Sequence, residues 1–126
     1  MNVKPAARIE LLHPLLRAQL PVIEAVFHEH DSLLTITSGH EGHAYDPPET
    51  RDHMKTSKHY TENSDAGVGC AIDCRGRHLT TDTLLAIDTE LERQLGPDFD
   101  VVAELKNKMG HPRNHIHIEY DPKALA

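Results

Sequence analysis

The amino-acid sequence predicts an α+β fold in which a small, mostly antiparallel sheet packs against helices. Three observations lead there. Two stretches, residues 6–30 and 81–95, repeat apolar residues at helical spacing. Four short segments, starting near Leu33, Val68, Phe99 and His115, are rich in apolar and β-branched residues and end at turn formers. A chain of 126 residues, 38% of them apolar, has the size of one domain with one core. Residues 1–126 therefore read as a single domain, with a helical N-terminal segment over about 6–30 and a site-bearing core over about 33–121.

In chain order, Ile9, Leu12, Leu15, Leu16, Leu20, Ile23, Val26 and Phe27 recur mostly at three- and four-residue steps and form a helical stripe. Pro14 and Pro21 interrupt it, which predicts two short helices or one kinked helix, because an interior proline removes a hydrogen bond and clashes with the preceding turn. Residues 33–37 follow as a strand. Residues 38–64 hold Gly39, Gly42, Pro47 and Pro48 with little apolar periodicity, and read as a long loop. Loops of that length in compact domains are usually functional or disordered. His40, His43, His53 and His59 in this stretch, with His78 just beyond it, favour function.

Residues 68–74 read as a strand with Ala71 and Asp73 on one face and Cys70, Ile72 and Cys74 on the other. Thr80, Thr81 and Asp82 offer N-caps for the clearest helix, which carries Leu84, Leu85, Ile87, Leu91 and Leu95 and stops at Gly96-Pro97. Residues 99–105 and 115–120 complete the strands, and Asp121-Pro122 ends the sheet. Strand order does not follow from these patterns.

A net charge of -7 without a clustered basic surface argues against nucleic acid as a partner. No apolar run is long enough for membrane insertion. Residues 1–7 lack the apolar core of a secretory signal, so synthesis and retention in the cytoplasm are expected unless another system releases the protein. Cys70 and Cys74 are too few for a disulfide framework, fit no zinc-knuckle spacing and read as small packed side chains. Eleven dispersed histidines are the compositional oddity, since histidine is the commonest transition-metal ligand and a proton carrier near neutral pH.

In the segment His115-Ile116-His117-Ile118-Glu119, strand alternation sets both histidines on one face, roughly 6–7 Å apart at the Cα atoms, and turns the isoleucines to the core. Alone, that pattern also suits two solvated histidines on a half-exposed strand. Asp73 shifts the balance, because a carboxylate within Gly-Cys-Ala-Ile-Asp must be paired, coordinated or exposed. His59 offers a third ligand from the loop that enters this strand. Two histidines and one carboxylate leave a fourth tetrahedral position open, as in catalytic zinc sites.

Ser57-Lys58-His59-Tyr60 followed by Gly69-Cys70-Ala71-Ile72-Asp73 resembles the S-x-H-x-x-G-x-A-x-D signature of zinc D-Ala-D-Ala peptidases and vancomycin-resistance dipeptidases, whose fold is shared with the Hedgehog signalling domain. His115-Ile116-His117 resembles the H-x-H that closes the site in many members. Asp52-His53-Met54-Lys55 and Phe99-Asp100-Val101-Val102-Ala103-Glu104 are similar to segments of Hedgehog-like and small phage-borne members. The motifs occur in the family's order over about residues 33–120, which is more specific than any one of them.

The resemblance implies a Hedgehog/DD-peptidase-like fold and one zinc ion per chain, held by His59, Asp73 and His117. It implies Glu104 as general base, with His115 and His53 steadying the oxyanion or assisting proton transfer. On spacing alone, Glu104 is equally a surface carboxylate closing a strand. The implied activity is hydrolysis of a peptide bond in a peptidoglycan stem peptide, by a carboxypeptidase or an endolysin-like endopeptidase. A phage-encoded member would be released or virion-associated.

Three features depart from the family pattern. Residues 60–68 intervene where the family has two residues, and residues 106–113 separate Glu104 from His115. The arginine that many peptidase members carry after a Ser-Gly turn is missing, since Ser38-Gly39 is followed by His40 and Glu41. Arg51, Arg75 or Arg113 could take its place on a substrate carboxylate. The competing expectations are a non-catalytic, zinc-stabilised binding module of Hedgehog-like fold, and a histidine-rich buffer that binds several zinc ions. Retention of Glu104 and His115 favours the enzyme, because a purely structural metal needs ligands but no base.

Overall fold

The computed structural model describes residues 1–39, 70–105 and 114–122. Of the two expected forms, two short helices or one kinked helix, the structure has two short helices, and Pro14 and Pro21 stand at their starts. Helix α1 spans Pro14–Arg17 and helix α2 spans Leu20–Glu29, with each proline in the first turn, where its missing N–H would have had no helical partner. Most of the predicted stripe faces inward, with Leu12, Leu16, Leu20, Ile23, Val26 and Phe27 buried, whereas Ile9 is only partly buried and Leu15, on the outer side of the short α1, is exposed. Ahead of α1 the chain makes two single-turn 3-10 helices, Pro5–Ala7 and Ile9–Leu11, in place of a longer helix.

Strand β1, Asn2–Val3, has no counterpart in the sequence reading, since two residues carry no periodicity. It pairs in parallel with β2, Thr35–Ser38. Strand β3, Ala71–Arg75, and helix α3, Thr81–Leu95, follow, and then β4, Phe99–Glu104, and β5, His115–Tyr120. Helix α3 lies where its apolar spacing predicts, and the Thr80 hydroxyl caps it by accepting from the Thr83 amide at 3.2 Å. Gly96 ends it at φ +82, a conformation that favours glycine.

The five strands form one sheet in the order β1-β2-β3-β5-β4. Three of the four pairings are antiparallel and β1–β2 is parallel, so the fold is α+β with a mixed sheet. Ile72, Cys74, Ile116, Ile118 and Val101 turn to one face and join Leu84, Ile87 and Leu91 of α3 in the core. Cys70 and Cys74 are both buried thiols not joined in a disulfide, and burial, with the neighbouring Asp73 charge, drives the Cys74 thiol far above its ordinary range.

Three local features hold the other face in place. Ile36 is paired with Cys74 and Ser38 with Asp73, so β2 carries a bulge beside Asp73. The Gly76 amide donates to the Asn114 carbonyl at 3.0 Å. A Cβ on Gly76 would come within 2.6 Å of Leu84 Cδ1 and 3.2 Å of the Asn114 oxygen, so the close approach of β3 to the start of β5 favours glycine there. On the opposite edge, the Ala103 amide donates to Asp88 Oδ2 of α3 at 3.3 Å, anchoring β4 next to Glu104. Among the described residues, no helix is long and apolar enough to cross a membrane.

Candidate metal centre

Strand register sorts the polar face of the sheet into three adjacent rows. Arg75, His115 and Glu104 are partners across β3, β5 and β4; Asp73, His117 and Val102 form the next row; Ala71, Glu119 and Asp100 form the third. Period-two alternation puts His115, His117 and Glu119 on this face because Ile116 and Ile118 occupy the core.

Within the middle row, His117 Nδ1 lies 2.9 Å from Asp73 Oδ1. Its other ring nitrogen, Nε2, lies 3.1 Å from Glu119 Oε1. Ionised carboxylates only accept, so with Asp73 and Glu119 both ionised the ring donates at both nitrogens, as an imidazolium. Burial alone would lower the affinity of His117 for a proton, but the hydrogen bonds and charges of Asp73 and Glu119 outweigh it and raise the imidazole to about 10. Asp73 itself is buried, and Thr37 Oγ1 donates to its backbone carbonyl at 3.4 Å.

In the adjoining row, His115 Nε2 lies 2.9 Å from Glu104 Oε2. Glu104 is the more open partner, with its side chain 38% exposed against 21% for His115. An accessible carboxylate with an orienting imidazole thus stands one row from the Asp73–His117 pair.

The donor set suits zinc, which takes histidine nitrogen and carboxylate oxygen at about 2.0–2.2 Å in a tetrahedral site. Ligand atoms at those distances stand about 3.3–3.5 Å apart. The Asp73–His117 pair, at 2.9 Å, would open by about half an ångström and give up the Nδ1 proton to hold the ion. Of the residues singled out in the sequence, Asp73, His117, His115 and Glu104 come together on this face. His59 and His53 lie outside the described residues, as do Arg51, Arg113 and the segments 60–68 and 106–113. Arg75 stands in register with His115.

Glu119 is the site residue that the sequence reading passed over. The alternation that groups His115 with His117 extends to Glu119 and carried the signal. Asp100, Glu119 and Asp121 also bring one carboxylate oxygen each within 4.8 Å of one another. Exposed acidic groups gather in this way without a cation, and no ion is assigned to them. Comparison of the chain with protein families, curated proteins and solved structures finds no match.

Proposed function

We propose that this protein is a zinc-dependent peptidase that hydrolyses a peptide bond of a peptidoglycan stem peptide. One observation carries the reading: a metal-suited pair, Asp73 with His117, stands one strand-row from a carboxylate–imidazole pair, Glu104 with His115, on one face of the sheet. Amide hydrolysis needs an electrophile activator and a base converging on one carbonyl, and these adjoining rows supply residues of both kinds. The stem-peptide substrate rests on the resemblance of the residue pattern.

His59, Asp73 and His117 would hold the zinc ion, which when bound supplies a Lewis acid for the scissile carbonyl and makes water more acidic. Glu104 accepts the proton of the attacking water at its carboxylate and passes it to the leaving amine. His115 orients Glu104 through the Nε2 contact, so that a carboxylate on an edge strand meets the substrate from a defined direction. The Asp88 contact with the Ala103 amide keeps the backbone beside Glu104 in place during that transfer.

The test is incubation of the zinc-loaded protein with purified peptidoglycan, followed by mass spectrometry of the released fragments and exposed termini. A defined new terminus supports the peptidase and names its bond. Zinc bound at one per chain with no product would favour the non-catalytic binding module.

A further inference from the structure

His117 is engaged on opposite sides of its ring, by Asp73 at Nδ1 and by Glu119 at Nε2. A metal ion shared with Asp73 takes the Nδ1 side. An imidazole that gives its Nδ1 lone pair to a metal keeps its proton on Nε2, and the acceptor of that proton decides how the ring is turned. We propose that Glu119 is a positioning residue for His117, accepting Nε2–H so that Nδ1 presents its lone pair to the metal position beside Asp73. The inference rests on the zinc reading above and adds a residue to it.

The fold makes Glu119 suited to this task. Its backbone is paired on both sides, with Ala71 of β3 and Asp100 of β4, so the origin of the side chain is fixed within the sheet. Two residues along a strand amount to roughly 6–7 Å, a gap that a glutamate and an imidazole on the same face can close together. One carboxylate oxygen each of Asp100 and Asp121 lies within 4.8 Å of one of Glu119, so a donor such as Nε2–H is a favourable partner for Glu119 in this acidic setting. Carboxylates that orient metal-binding histidines typically change metal affinity about 10–100-fold when removed.

Two variants separate the hydrogen bond from the charge. Glu119→Gln keeps an oxygen acceptor at the same reach and loses the charge. Glu119→Asp keeps the charge but withdraws the carboxylate by about 1.5 Å, beyond hydrogen-bond distance of Nε2. Zinc affinity is measured by chelator competition and the ligand field by the visible spectrum of the cobalt(II)-substituted protein, with Asp100→Asn as a charge control and His117→Ala to locate the ion. The expected result is a loss of about tenfold or more with an altered cobalt spectrum in Glu119→Asp. Glu119→Gln and Asp100→Asn should stay within about threefold of the parent and keep its spectrum. The reverse order, with Gln weakened and Asp retained, would overturn the inference, as would a second zinc ion in the parent protein that either Glu119 variant fails to bind. If His117→Ala abolishes zinc binding while both Glu119 variants bind normally, this inference alone falls. If His117→Ala leaves zinc affinity unchanged, the metal centre falls with it.

Discussion

His117 and Asp73 face each other in register across β5 and β3, with Nδ1 2.9 Å from Oδ1. Glu119 completes the enclosure of the ring from its other side. A histidine held between two carboxylates is stable as a cation, and a metal ion must displace a proton to use it. Several properties of the protein depend on that competition.

The metal-free protein should lose stability as pH rises. Unfolded, the imidazole of His117 titrates near 6.5, and in the fold it is raised to about 10. Between those values the folded state holds the extra proton, so the contribution is complete below pH 6.5, declines above it and is gone once pH passes about 10. Urea unfolding of the zinc-free protein between pH 7 and pH 10 is expected to show a falling midpoint, and His117→Gln should flatten the slope. A level profile in the parent protein would contradict the double contact.

Zinc affinity should move the opposite way. Below pH 10, coordination at Nδ1 releases at least one proton, so the apparent affinity should climb about tenfold per pH unit near neutrality. Titration calorimetry in buffers of different ionisation enthalpy counts the released protons directly. Release of none would mean that the ion avoids His117.

Glu104→Ala should keep zinc and lower hydrolysis by about 10²–10⁴-fold, the usual contribution of a general base. His117→Ala should lose both metal and activity. Full activity in the glutamate variant would remove Glu104 from the chemistry.

Gly76→Ala tests the scaffold independently of the metal. Its Cβ would come within 2.6 Å of Leu84 Cδ1 and 3.2 Å of the Asn114 carbonyl, so the core and the start of β5 must shift. Overpacking of this kind costs about 1–3 kcal/mol, read as a lowered Tm. Zinc affinity should also weaken, because β5 carries His117. An unchanged Tm would show that the approach of the two segments is loose.

Much of the architecture was legible because its signals are local. The apolar steps of α3, its Thr80 cap and its Gly96 stop all lie on one continuous stretch of chain, residues 80–96, and the structure places the helix where they point. The alternation over residues 115–120 likewise exposed which face His115 and His117 share. The N-terminal stretch carries a signal with two outcomes, and the structure has the two short helices. Pro14 and Pro21 signal interruption, yet whether proline breaks a helix or begins one depends on where neighbouring turns close. Strand β1 escaped notice because its pairing with β2 is set by tertiary contact alone.

The sequence by itself determined the faces: isoleucines inward, with His115, His117 and Glu119 outward, and Asp73 on the side of β3 away from Cys74. Side-chain direction in a strand follows from backbone geometry and needs no knowledge of neighbours. Only the tertiary structure decided who stands beside whom. Asp73 and His117 are 44 residues apart in the chain, and they meet because the strand order places β5 between β3 and β4. Hydrogen-bond ladders between strands distant in sequence set that register, so the doubly held His117 and the role of Glu119 became visible only once the sheet was assembled.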